Sequence, residues 1–110
     1  MRKFHRIKGR RRSFIKGLIH NLIMKEKIIT TIPRAKEIRP PTERLITIDK
    51  KQNLAGLRSL LSKLPKQSAN KLYYDIAPRY THRKGGYLRI TKTAKARKRD
   101  AAYLAIIQFV

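Results

Sequence analysis

Two stretches of this chain are so densely basic, and so free of acids, that the charges of neither can enter a protein interior. The first 16 positions hold Arg2, Lys3, Arg6, Lys8, Arg10, Arg11, Arg12 and Lys16. Positions 79–99 hold Arg79, Arg83, Lys84, Arg89, Lys92, Lys95, Arg97, Lys98 and Arg99, and neither stretch contains Asp or Glu. A buried cation needs a paired anion. With none inside either stretch, these side chains are expected to face water, ions or a polyanion. The two stretches take 17 of the 29 Lys and Arg; against six acids, the formal net charge is +23 and the pI near 11.4. Self-repulsion of this size opposes compaction, and a polyphosphate backbone is the densest available counter-charge. Nucleic acid is therefore the expected partner.

A chain of 110 residues, 41% hydrophobic, is expected to build one core of modest stability. It has no Cys, which removes disulfides, thiolate zinc sites and Cys nucleophiles together and fits a reducing compartment. The longest apolar run, Ala101 to Ile107, falls far short of the roughly 20 residues of a membrane span. The acid-free, Arg-rich first 25 residues also have the composition of an organellar transit peptide, but the remainder is too short to spare them.

Residues 1–12 read as an extended basic arm and residues 13–110 as a single domain. Ser13 is a candidate cap, after which Phe14, Ile15, Leu18, Ile19, Leu22 and Ile23 recur at helical spacing up to about Lys25. The β-branched run Lys27–Ile32 predicts a strand. From Pro33, Ala35, Ile38, Thr42, Leu45 and Asp49 lie along one helical stripe, with a bend or break expected at Pro40 and Pro41. Leu54, Leu57, Leu61 and Leu64 mark a third helix closed by Pro65; Ala69, Leu72, Tyr73 and Ile76 mark a fourth closed by Pro78. A basic turn ending in Gly85-Gly86 leads into a strand at Tyr87–Thr91, then a charged loop from Thr93 to Asp100. The apolar run Ala101–Val110 suits a central strand buried on both faces. The expected fold class is α+β: a compact domain of order α-β-α-α-α-β-β, with a three-stranded mixed sheet packed against helices.

Catalytic readings find little support. Glu26, Glu37, Glu43, Asp49, Asp75 and Asp100 fall one to an element, without the paired spacing that hydrolysis or a metal requires. His5, His20 and His82 are isolated, and a structural or RNA-facing role is the better reading for each than ligand or general base. Lys84-Gly85-Gly86 lacks the spacing of a phosphate-binding loop. A DNA reader would present its basic groups on a recognition helix, whereas the densest charge here lies in arm and loop. Adsorption to an anionic membrane would spend an apolar helix face that the core needs. No enzyme, cofactor, metal, small-molecule substrate or membrane is expected.

Arg mixed with Tyr80, His82 and Tyr87 adds the chemistry of stacking on unpaired bases. Tyr87, in a strand, favours the core, and Tyr80 is balanced between core and stacking. Arg10 to Arg12, Arg79, Arg83, Arg97 and Arg99 are the candidates for fixed bidentate phosphate contacts.

The chain also resembles a known family. Leu22-Ile23, Glu26 to Thr31, Ala35 to Pro40 and Leu45 to Thr47 form one block of the resemblance. Ala77 to Tyr80, Arg83, Gly85 to Tyr87, Arg89-Ile90 and Lys92 form a second, continued by Arg97, Asp100 to Ala102 and Ala105. In register, this series is similar to bacterial ribosomal large-subunit protein 17. The resemblance implies a mixed α/β domain with a three-stranded sheet, binding of large-subunit rRNA, neighbouring large-subunit proteins, and a place near the rim of the nascent-chain exit tunnel. It departs from the family in a shorter arm before Arg2, in Lys25 where His is common, and in Pro41 doubling Pro40. The expected site is thus an rRNA interface made by the 17 basic residues above with Tyr80 and His82, in a cytoplasmic ribosome, an organellar one being left open.

Overall fold

In the computed structural model, residues 8–96, 98 and 101–110 are described, with 94 and 95 as backbone only. Helix α1 runs Lys8–Lys25, strand β1 Lys27–Thr31, helix α2 Ile32–Asp49, helix α3 Leu54–Lys63 and helix α4 Lys66–Lys71. The chain continues from α4 through a π-helical turn, Leu72–Ile76, and a 3-10 turn, Ala77–Tyr80, to strands β2 (Leu88–Ala96) and β3 (Tyr103–Phe109). The expected element order therefore holds.

Helix α1 is already formed at Lys8, five residues before the Ser13 cap predicted for it. Lys and Arg are good helix formers, so nothing between Lys8 and Arg12 except Gly9 opposes the helix, and Arg10 to Arg12 ride on it. Its apolar stripe, Ile15, Ile19, Leu22 and Ile23, enters the core as the periodicity requires. Glu26 then takes φ +62 and its amide donates to the Leu22 carbonyl at 2.6 Å, the left-handed stop that ends many helices.

Helix α2 does not break at its prolines. Pro40 is exposed and Pro41 half-buried, so both rings lie toward the solvent side of the helix, where a lost backbone bond costs least. The predicted stripe is buried in full, Asp49 included, together with Ile46. In α3 the buried residues are Gly56 and Leu60, off the predicted stripe, of which Leu64, just past the helix, is buried as expected. Leu54 and Leu61 point to solvent. Pro78 does not close the fourth helix but sits in the first turn of the 3-10 segment, where its missing amide costs nothing.

The sheet has the order β1-β3-β2 and is antiparallel throughout rather than mixed. The outer strands β1 and β2 run parallel to one another, but the last strand lies between them. Ile28, Ile107 and Ile90 share one row, and Thr30, Ala105 and Lys92 the next. The first row packs with Leu22, Ile23, Ile38, Ile46, Leu72 and Ile76 into the helical side. Strand β3 is central, as expected, but deeply buried on that side alone, at Ala105 and Ile107. Strand β2 reaches Ala96, so the first half of the predicted Thr93–Asp100 loop is strand, pinned where Thr93 Oγ1 donates to the Leu104 carbonyl at 3.1 Å.

Candidate nucleic-acid interface

On α1, the stripe that fixes the helix to the core also fixes what faces outward. Lys8, Arg10, Arg12 and Lys16 are exposed and form no ion pair among the described residues. Arg11 is half-buried, with its Nε shielded and without a hydrogen-bond partner among them. Arg34 lies 5.0 Å from the ring centre of Phe14 and extends the positive surface onto α2. Arg2, Lys3, Arg6, Arg97 and Arg99 lie outside the described residues, as does the side chain of Lys95. Lys98 is exposed.

The second basic stretch divides into cations held by the fold and cations left to solvent. Arg79 pairs with Glu26 and, at 3.0 Å, with Asp75. The expectation that no acid meets this stretch thus fails at Arg79: Asp75 stands one helical turn before it, just outside the stretch, and Glu26, 53 residues away in sequence, is brought to it by the α1–β1 corner. Both partners raise the proton affinity of the guanidinium, and Arg79 in turn holds the Glu26 carboxyl below its usual range. Tyr80 is 4% exposed: its hydroxyl donates to the Val110 carbonyl at 2.8 Å and its ring lies 5.2 Å from that of Tyr87. The base-stacking reading of Tyr80 is therefore corrected; it is a core residue, as is Tyr87.

His82, Arg83 and Lys84 project from an exposed turn that is tethered at its base. Lys50 Nζ donates to the Arg83 carbonyl at 2.7 Å, and the Tyr87 hydroxyl donates to the same oxygen at 3.3 Å. Gly86, at φ +65, makes the left-handed step into β2 that glycine takes without strain.

Across the sheet, Lys27, Gln108 and Arg89 share one row, and Ile29, Ile106 and Thr91 the next. These rows belong to the face turned away from the core. Lys27 and Arg89 are exposed at its two edges, about 10 Å apart across three strands, and Ile29 is 63% exposed. Lys27 was missed in the sequence; alternation with Ile28 would have placed it outward once the strand's buried side was known. Lys92 is exposed midway along β2, in the row of Thr30 and Ala105 on the opposite face. A further pair that sequence reasoning missed, Arg44 and Lys63, stands beside Arg12 and Lys16 around a cleft between α1, α2 and the end of α3.

Among the described residues no three His, Asp or Glu side chains converge as a metal site, and no helix is long and apolar enough to cross a membrane. The chemistry available is charge, in a fold that matches a known one at the level of sequence. The family model for ribosomal protein L17 matches residues 14–110. The chain belongs to the ribosomal protein L17 family. It is 46% identical to large ribosomal subunit protein bL17 of Allorhizobium ampelinum, over 99% of this chain and 77% of that protein. The namesake from Wolbachia pipientis wMel is 47% identical over 99% and 78%. That of Lactobacillus helveticus is 38% identical over 99% and 98%. Membership of the L17 family makes the chain a structural constituent of the large subunit of the cytoplasmic ribosome, and not an enzyme.

Proposed function

We propose that this L17-family chain binds large-subunit rRNA by neutralising phosphates from two sides of a small scaffold. One side is the outward face of α1 with the residues before it: Arg2, Lys3, Arg6, Lys8, Arg10, Arg11, Arg12 and Lys16. The other is the turn at His82, Arg83 and Lys84 with strand β2 and the residues after it, Arg89, Lys92, Lys95, Arg97, Lys98 and Arg99. The observation that carries this reading is that Lys8, Arg10, Arg12 and Lys16 stand exposed on one ordered helix, with no acid among the described residues to neutralise them. A helix fixed by its apolar stripe holds those charges at set spacing, and phosphate contacts then position the protein on folded RNA. Residues 1–12 act as an extension of the domain formed by residues 13–110. Family membership supports contact with neighbouring large-subunit proteins and a location near the rim of the nascent-chain exit tunnel.

The test is binding of the full chain to folded large-subunit rRNA fragments across a salt series. With six to ten phosphate contacts, affinity falls roughly a thousandfold or more between about 50 and 200 mM salt. Affinity that is flat over that range overturns the reading. So does a chain with both basic stretches reversed to Glu that still sediments with large subunits in moderate salt. A photoreactive group at Lys98 checks the location: cross-links to emerging nascent chains support the rim, and cross-links confined to the opposite side of the subunit exclude it.

A further inference from the structure

Helices α1 and α2 leave an open cleft of about 460 Å³ between them, closed at one end by the last residues of α3. Its two long walls have the same grammar. From α1 it is lined by positions 12, 15, 16 and 19, and from α2 by positions 41, 44, 45 and 48. Each set follows the i, i+3, i+4, i+7 spacing of one helical face. Two helices that present such faces to a common groove offer a seat for a third, running for two turns or roughly 10 Å.

The floor is aliphatic: Ile15, Ile19, Leu45, Leu64 and the 40%-exposed Ile48. It has no aromatic ring on which a base could stack and no side-chain donor or acceptor to read a base edge. Phosphate binding gives no role to this floor. The rim is cationic, with Arg12, Lys16, Arg44 and Lys63, none of them in an ion pair among the described residues. A second copy of this chain is a poor occupant, since its own charge is +23 and its acids fall singly along the sequence.

We propose that this cleft is a docking site for an acidic amphipathic helix of another protein, whose aliphatic anchors fill the floor while its carboxylates meet Arg44 and Lys63, the rim cations that rRNA binding leaves unassigned. The mode is helix-in-groove recognition, with apolar burial giving affinity and charge giving orientation. The partner is defined by that chemistry: aliphatic side chains at helical spacing, flanked by Glu or Asp, over about two to three turns.

The experiment uses the full chain and a fluorescent 14-residue helical peptide carrying Leu at the four anchor positions and Glu between them. The controls are the same peptide with the anchors changed to Ser, the chain carrying Ile48→Ser, and the chain carrying Arg44→Ala with Lys63→Ala. Binding is read by anisotropy in about 150 mM salt, where long-range charge attraction is largely screened. The Leu peptide is expected to bind at least about tenfold more tightly than the Ser peptide, and each variant to weaken the Leu peptide by about tenfold. Ile48→Ser is expected to leave affinity for an rRNA fragment within about twofold. Because Ile48, Arg44 and Lys63 are exposed, circular dichroism of these variants is expected to match the parent. Equal binding of the Leu and Ser peptides overturns the proposal, since charge alone then accounts for it. Loss of peptide and RNA affinity together in Ile48→Ser also overturns it, and gives the cleft to RNA. Concentration-dependent self-association abolished by Ile48→Ser overturns it in favour of a second copy.

Discussion

Gly56 stands where any side chain would press on the carboxylate of Asp49: a Cβ built there falls 3.1 Å from Asp49 Oδ1 and 3.2 Å from Asn53 Oδ1. The α2–α3 corner closes on this contact. Asn53 caps α3 by accepting from the Gly56 amide at 2.8 Å, and Gln52, at φ +56, donates to the carbonyls of Asp49 and Tyr73. Asn53 Oδ1 is therefore held by the cap itself, while the Asp49 carboxylate is confined by its complete burial. Gly56→Ala gains about 1 kcal/mol of helix propensity and loses about 1–3 kcal/mol to overpacking. The net expectation is a destabilisation of about 1 kcal/mol, measured as a lower urea midpoint; a higher midpoint would show slack at this contact.

Asp49 itself makes stability depend on pH. It is fully buried, neither carboxylate oxygen has a hydrogen-bond partner among the described residues, and burial pushes its pKa up from 3.8 to about 7 despite the opposing charge of Lys63. The folded state thus holds a proton that the unfolded chain gives up, so this contribution to stability is whole below about pH 4. It declines as pH rises toward 7 and is constant above. Asp49→Asn keeps the shape and cannot ionise. It is expected to be more stable than the parent at pH 8, by a few kcal/mol at most, with the difference shrinking steadily toward pH 4. Urea titrations of both proteins across that range decide it; a constant difference would mean that Asp49 does not titrate there.

At Glu26 two effects oppose one another. Its left-handed backbone costs roughly 1 kcal/mol for a residue with a side chain. Its carboxylate meets Arg79 and, at 3.5 Å, Lys71, while Lys71 also donates to the Met24 carbonyl at 2.8 Å. These pairs are more than a third exposed on the Glu26 and Arg79 sides, so each contributes only about 0.2–1 kcal/mol. Glu26→Ala loses the pairs and keeps the strain, whereas Glu26→Gly loses the pairs and relieves it. Thermal unfolding is expected to rank Ala below Gly by about 1 kcal/mol. If Ala equals Gly, the backbone there is not strained.

The periodic parts of this fold were legible because apolar spacing reports a buried face directly. The α1 stripe and the line from Ala35 to Asp49 both stand as read, and the order of elements followed. Phase was not legible where leucines crowd: in α3 the run Leu57, Leu60, Leu61 and Leu64 fits two stripes, and only docking on the rest of the core selects Leu60 over Leu61. The proline pair misled because its cost depends on whether water reaches the freed carbonyls, which is a tertiary fact. Tyr80 and Arg79 sat in a stretch that looked wholly solvent-facing, yet Tyr80 bonds to Val110 and Arg79 to Glu26, both far off in sequence, as well as to the nearby Asp75. Charge density thus located the candidate interface, but it did not separate cations free for a ligand from cations already engaged by the fold.

That separation yields a further measurable difference. Lys8, Arg10, Arg12 and Lys16 make no ion pair among the described residues, whereas Arg79 makes two. If the free cations meet phosphates, each one removed releases fewer counterions, and the slope of log affinity against log salt becomes shallower by about 0.7–0.9 for each lost contact. Changing Arg10, Arg12 and Lys16 together to Gln is therefore expected to flatten the slope by about 2–3 for a folded rRNA fragment. The melting temperature should change little, because these side chains are exposed and form no ion pair among the described residues. Arg79→Gln is expected to do the reverse, lowering thermal stability through the loss of Glu26 and Asp75 while leaving the slope within about one contact of the parent. A slope that falls more for Arg79→Gln than for the triple variant would show that the ion-paired residue, and not the open face of α1, carries the RNA.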